Sequence, residues 1–263
     1  MQNDPLAESV DGSAESFVYD TVADAKLASL LVGKQVVTKG YYTAGDGGGA
    51  TYLVAPSQAV DGYGDHVRTN GNVMLLQTGS SFNVLQYGLV ADGATDNDAA
   101  FSALTAKIGA LSGGQIYFPE GVYYMGAVAG HLLPSDCIVY GDGQGATILD
   151  TNSAGTTRGI FRLDARDQIT IRDMTLASNR AGDTISVDNT AIHARGAGSC
   201  SNITIEDVEI RDFGYYAIDI RESSDIKINR VRMTNLGRAG FLGIGVVRCD
   251  VHNCFVKDVA PGS

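Results

Sequence analysis

Four stretches in the second half of the chain share one pattern, apolar-x-apolar-x-x-apolar-x-apolar. They occupy residues 169–176, 203–210, 226–233 and 249–256, with starts 34, 23 and 23 residues apart. Each follows a shorter alternating stretch, at 160–164, 191–195, 217–221 and 243–247. Alternation with a period of two marks a strand with one face buried. Its recurrence at intervals in the low twenties predicts a solenoid whose coils stack strand on strand. The LxxLxL signature and repeated Asn of leucine-rich repeats are missing. The pattern therefore predicts a mainly β chain, a right-handed single-stranded parallel β-helix preceded by a small α+β head. The long first interval places an inserted loop at about 178–190.

Upstream the period changes. Phe101, Leu104, Ile108 and Leu111 fall on one helical face over 99–111, with Thr95 or Asp96 as the expected N-cap. A strand, a Pro-Gly turn and a second strand follow over 115–124. Nearer the N-terminus, apolar residues at 22, 27, 30 and 31 predict a short amphipathic helix ending at Gly33 as C-cap. Strands are expected at 35–38, on both sides of the glycine-rich turn within 40–54, and at 73–76. Gly45–Gly49 lacks the GK[ST] ending and the following helix of a phosphate loop, so it reads as a tight hairpin. The expected organisation is a flexible N-terminal arm (1–16), an α+β head (17–80), and a capping helix with the first coils of a β-helix (81–263). About six coils fit, and no capping element follows the last, so a truncated β-helix is expected.

Residues 82–101 (FNVLQYGLVADGATDNDAAF) and 113–123 (GGQIYFPEGVY) closely resemble the opening of the pectate-lyase-like superfamily. The similarity is nearest the rhamnogalacturonase/epimerase-type branch used by bacteriophage tailspikes, in which the helix plugs the N-terminal end of the β-helix. Residues 40–54 are similar to a segment found ahead of such helices in phage tail proteins. This resemblance, over roughly 20–260, implies a tailspike or tail-fibre adsorption protein. Such a protein is a homotrimer in the virion, acting extracellularly, with a head that meets phage tail or baseplate proteins and a β-helix that binds, and often cleaves, host surface polysaccharide. A free polysaccharide lyase, glycoside hydrolase or epimerase is the first alternative, and a purely structural tail shaft the second.

Composition narrows this further. The chain has 33 Gly without a three-residue period, which signals tight turns rather than collagen. Its 30 acidic and 19 basic residues give a net charge of −11. That balance argues against a nucleic-acid partner and an anionic membrane surface. No apolar run approaches the roughly 18 residues of a membrane span, so no membrane insertion is expected. The polar, acidic N-terminus does not read as a Sec-type signal peptide. Cys137, Cys200, Cys249 and Cys254 form no CxxC pair, so neither metal nor cofactor is expected.

Aligning the shorter strands yields two outward columns. One holds Arg162, His193, Asp219 and Gly245; the next holds Asp164, Arg195, Arg221 and Val247. His193 and Asp219 are the catalytic candidates, and Arg162, Asp164, Arg195 and Arg221 the substrate-binding ones. A base beside guanidinium groups suits an acidic sugar and β-elimination, which needs a proton acceptor at the ring and a cation on the carboxylate. The competing expectation is a solvated ladder of alternating charges. Asp164 and Asp219 are expected roughly 12 Å apart from the strand spacing, too far for a glycosidase pair. The Asn-Thr-Asp, Asp-Asp, His-Gly and Arg-x-Lys motifs of family polygalacturonases are absent beyond Asn189-Thr190, which Ala191 follows. Carboxylates over 92–98 read as turn and cap chemistry. His66 and His131 have no evident partner, and His252 reads as exposed. Without Trp, a sugar platform falls to Tyr215, Tyr216 or Phe241, although the tyrosines suit a turn between coils equally well.

Overall fold

The computed structural model describes residues 7–8, 16–126, 130–151, 159–178, 189–196 and 198–260. Most of the expected N-terminal arm and the centre of the expected 178–190 insertion lie outside them. The chain divides into two compact units, Met1–Leu89 and Val90–Ser263.

In the first unit a six-stranded sheet has the order Ala7–Glu8, Ser16–Tyr19, Gln35–Thr38, Thr51–Ala55, Val73–Leu76, His66–Val67. Only Ser16–Tyr19 and Gln35–Thr38 pair in parallel. Helix α1 (Val22–Leu27) starts at Thr21 with a reciprocal capping box to Asp24. It ends at Ala28, well before Gly33, and leaves Leu27 and Leu31 exposed. The early stop has a local cause. Arg68 donates from its guanidinium to the carbonyls of Leu30 and Ala28, and Thr69 donates to that of Lys26. These donors satisfy carbonyls that another helical turn would have used. The glycine-rich segment does connect antiparallel strands, Gln35–Thr38 and Thr51–Ala55, but as a long loop rather than a tight hairpin. Asp46 organises it by accepting the backbone N–H groups of Tyr41, Tyr42, Thr43 and Gly48. Tyr41–Thr43 is consequently bent and not a strand.

In the second unit, helix α2 (Asp98–Ala110) buries Phe101, Leu104 and Ile108. Its Phe101 ring lies 5.4 Å from Phe118 and 6.4 Å from Phe161. Neither Thr95 nor Asp96 is its N-cap; both belong to a strand, Asp92–Asp96. Asn97 takes the cap position, and its amide ties together Val90, Thr95 and Tyr124 instead of capping the helix.

The remainder winds as a parallel β-helix, as the repeats predict. The first sheet stacks Gly114–Phe118, Cys137–Gly141, Asp167–Ala177, Ser201–Arg211, Ser224–Asn229 and Val247–His252. Every neighbouring pair is parallel. Cys137, Ile169, Ile203, Ile226 and Cys249 stack in one column, and Val139, Ile171, Ile205, Ile228 and Val251 in the next. The second sheet continues from the same strands. There Leu149, Leu176, Ile210, Met233 and Val256 form one inward column.

The x-x pair inside the repeat is a bend. Asp173, Asp207, Arg230 and Asn253 all have φ between 51° and 56°, in the left-handed region that Asn and Asp tolerate best. Arg230 holds that geometry by a two-armed bond to Asp207 one coil below, at 2.6 and 2.5 Å. Arg248 and Asp225 repeat the arrangement at the second residue of the strands Val247–His252 and Ser224–Asn229.

Candidate functional site

The third sheet stacks His131–Leu132, Phe161–Arg162, Ile192–Ala194, Tyr216–Arg221 and Ala239–Ile244, all parallel. Phe161, Ile192, Ile218 and Phe241 share one register and point inward. Between them, Arg162, His193 and Asp219 fall side by side on the other face, as the strand alignment predicts. The fourth member differs: Asp219 pairs with Leu242 and not Gly245, and Arg221 with Ile244 and not Val247. The earlier copies are lengthened by corner residues, whereas this coil repeats after 23, the separation that joins Arg248 to Asp225. Gly245 therefore becomes a corner with φ 65°, and Phe241 turns inward and is no sugar platform.

The charges on this face form a closed arrangement, not a solvated ladder. Asp219 is fully buried. It accepts from Arg195 Nε at 2.5 Å and from Arg221 at 3.0 and 2.9 Å. Arg195 also donates to Thr190 Oγ1 at 2.6 Å. A buried carboxylate is tolerable only when partnered in this way. The bond to Asp219 raises the pKa of Arg221. Asp164 accepts the backbone N–H groups of Arg195 and Gly196, each at 2.8 Å, and Arg162 Nε at 3.2 Å. Burial acts to raise the Asp164 pKa, but those N–H groups, His193 and Arg162 outweigh it and hold the carboxyl below its usual range.

His193 differs from its neighbours. It is 9% exposed, and neither ring nitrogen has a partner among the described residues. Burial, then the charge of Arg195, push its pKa down to about 4, against the opposing pull of Asp164. The imidazole is thus neutral at pH 7, with a free lone pair and a free N–H. Asp219 cannot act as an open base while two guanidinium groups occupy its oxygens. Its geometry suits a positioning role that orients Arg195 and Arg221. Three guanidinium groups against two carboxylates leave the face with one excess positive charge beside a neutral histidine.

The other candidates have local explanations. Asn189 accepts Gly214 N–H at 2.5 Å and donates to Ser178 at 3.3 Å, binding a coil corner together. Tyr215 and Tyr216 pack edge-on at 4.2 Å, with the Arg238 guanidinium 5.0 and 5.6 Å from their rings. His131 does have a partner, Asp98 Oδ1 at 3.0 Å on the first turn of α2, and meets Phe101 edge-on. The sequence hides this pair because its members lie on different elements. His252 is exposed beside Asp250. Asp92 accepts from Ala94 and Thr95, and Asp96 from Asp98 N–H, as turn chemistry predicts. Among the described residues no cluster of His, Cys, Asp or Glu has metal-holding geometry, and no helix is long and apolar enough to cross a membrane. In the sequence Thr190 is only part of an incomplete Asn-Thr-Asp motif and Arg238 carries no signal at all; their roles show only in their contacts with Arg195 and with the tyrosine pair.

Comparisons with known proteins add the following. A family model described as rhamnogalacturonase A/epimerase, pectate lyase-like, matches residues 81–243. Mannuronan C5-epimerase AlgE6 of Azotobacter vinelandii is 35% identical over 194 residues, which are 68% of this chain and 22% of that protein. The chain thus spans only about a fifth of that relative's length (22%). Two solved structures share the fold at 16% identity. Tailspike protein gp49 of Acinetobacter baumannii bacteriophage Fri1, a capsular polysaccharide depolymerase, superposes with a TM-score of 0.60 over 95% of this chain and 54% of its own. Pantoea stewartii WceF, a glycan biofilm modifying enzyme with a tailspike-like parallel β-helix, does so with 0.67 over 92% and 42%.

Proposed function

From a chain that belongs to the rhamnogalacturonase A/epimerase, pectate lyase-like family, we propose a tailspike-type adsorption protein that recognises an acidic surface polysaccharide on its third sheet. In this reading it works outside the cell as part of a phage tail, as a homotrimer whose head meets tail or baseplate proteins. The likeness to a tailspike over 95% of the chain, head included, supports the adsorption role. The observation that carries the site is His193, buried, neutral and unpartnered in a ring of Arg162, Asp164, Arg195 and Asp219.

Chemistry favours binding over cleavage at these residues. Proton abstraction beside a uronate carboxyl calls for a base matched to the working pH. A conjugate acid near pKa 4 makes His193 a weak acceptor. The partly exposed guanidinium groups of Arg162 and Arg221, above the sealed neutral His193, instead suit the carboxylate of a bound sugar. A second reading, a free lyase or epimerase, draws on the 35% identity to a mannuronan epimerase. It predicts that the isolated chain turns over uronate polymers and stops doing so in His193→Ala.

The test is calorimetric titration with trimers of galacturonate, mannuronate and neutral galactose. The acidic trimers should bind, the neutral one at least about tenfold more weakly, and Arg162→Ala should weaken binding about tenfold through loss of a charge-assisted contact. Among the described residues Arg162 hydrogen-bonds only Asp164 in the ring, so this variant leaves the buried Asp219 clamp intact. Equal binding of neutral and acidic trimers, or no effect of Arg162→Ala, would overturn the site.

A further inference from the structure

An open cavity of about 230 Å³ lies where the first sheet bends into the second, lined by Gln144, Arg230, Val231, Arg232, Asn253 and Phe255. Phe255 stacks directly on Arg232 in the parallel register, and Thr175, Glu209 and Arg232 precede it in the same outward column. The ring is 49% exposed. The Arg232 guanidinium lies 5.6 Å from its centroid.

The arginines around this cavity are not equivalent. Arg230 is occupied on two arms by Asp207, and Arg248 likewise by Asp225. Arg211 donates to Asp212 at 2.8 Å. Arg232 approaches Glu209 only at 3.6 Å, makes no hydrogen bond among the described residues, and has a side chain 58% exposed. It is a planar donor group whose N–H groups make no hydrogen bond among the described residues, held over an aromatic ring. Asn253 and Gln144 add amides at the rim, with Gln144 exposed.

We infer that this cavity is a second saccharide subsite, taking one carboxylate-bearing pyranose of an acidic polysaccharide. The guanidinium of Arg232 receives the carboxylate through two parallel N–H donors. The Phe255 ring supplies an apolar face for the axial C–H groups of the sugar, and the amides take its hydroxyls. In a chain of net charge −11, such an anion must be drawn by a local guanidinium that no carboxylate already saturates. The inference rests on the proposed recognition of acidic polysaccharide, and a second subsite extends it by letting one long glycan engage two faces of the shaft.

The chain contains no tryptophan, so Phe255→Trp gives a single fluorophore inside the cavity while keeping an aromatic platform. Titrating this variant of the full chain with trigalacturonate should shift its emission saturably, with neutral galactotriose at least about tenfold weaker. Arg232→Ala in the same background should weaken the response about tenfold. Arg162→Ala in that background should leave it unchanged, since that residue belongs to the third sheet. An emission that ignores trigalacturonate, responds equally to the neutral trimer, or is indifferent to Arg232→Ala would overturn the subsite, while calorimetry of the chain carrying Arg232→Ala alone reports independently on the third sheet. Loss of the response in Arg162→Ala would reassign it to that sheet and likewise overturn the inference.

Discussion

A histidine that is buried without partners leaves a signature in stability as well as in binding. The His193 pKa falls from 6.5 to about 4 on folding. Between those values the unfolded chain carries the extra proton, so stability rises with pH. The contribution of the neutral imidazole is complete above about pH 6.5 and is lost as pH falls toward 4. At roughly 1.36 kcal/mol for each pH interval of one between the two values, the loss is on the order of 3 kcal/mol. Urea unfolding at pH 7 and pH 4.5 should therefore show a smaller difference for His193→Gln than for wild type, by about 2 kcal/mol. Equal pH dependence in the two proteins would mean that the ring is solvated. Strand alignment alone puts His193 beside Asp219, because period-two alternation and coil stacking fix neighbours across a parallel ladder. It does not reveal that Asp219 is sealed. That depends on Arg195, a neighbouring-coil residue whose side chain also reaches Thr190, and side-chain closure leaves no trace in periodicity.

At the level of the coil, one inward column contains nearly the same chemistry in different surroundings. Ile210 is fully buried between Leu176 and Met233, whereas Val256, two coils on, is 49% exposed. Ile210→Ala should cost about 2–5 kcal/mol through lost burial and a residual cavity. Val256→Ala should cost well under about 1 kcal/mol, since half its surface already meets water. Chemical-denaturation midpoints of the two variants decide it, and equal losses would show that the last coil is packed as tightly as the middle. The repeat was legible because the apolar positions obey one template over four copies. One earlier coil lies outside the template: the strand Cys137–Gly141 is separated from Thr147–Asp150 by a longer corner where later coils have a single left-handed residue. The misplacement of Gly245 has the opposite origin, an interval carried forward from lengthened coils to one without extra residues. Helix α1 is shorter than its periodicity for a third reason, since its end is set by Arg68, 38 and 40 residues along the chain from the carbonyls of Leu30 and Ala28 that it holds.

For the chain as a whole, the excess of acidic residues sets the approach of a ligand and the local arginines set its departure. A net charge of −11 repels an acidic oligosaccharide out to roughly the Debye length, about 10 Å at 0.1 M salt and 30 Å at 0.01 M, beyond which the repulsion is screened. Only near contact with the third sheet does the excess charge of Arg162, Arg195 and Arg221 over Asp164 and Asp219 outweigh that repulsion. Salt screens the long-range repulsion more effectively than the partly buried contacts. Stopped-flow association of trigalacturonate should therefore hold steady or accelerate about two- to threefold as salt rises from about 0.01 to 0.1 M, while dissociation also quickens. A steep fall in association rate would instead mark a positive potential reaching far into solvent. That result would contradict capture by local guanidinium groups set in an acidic molecule, because a field of that range requires basic charge well beyond the few arginines of the third sheet.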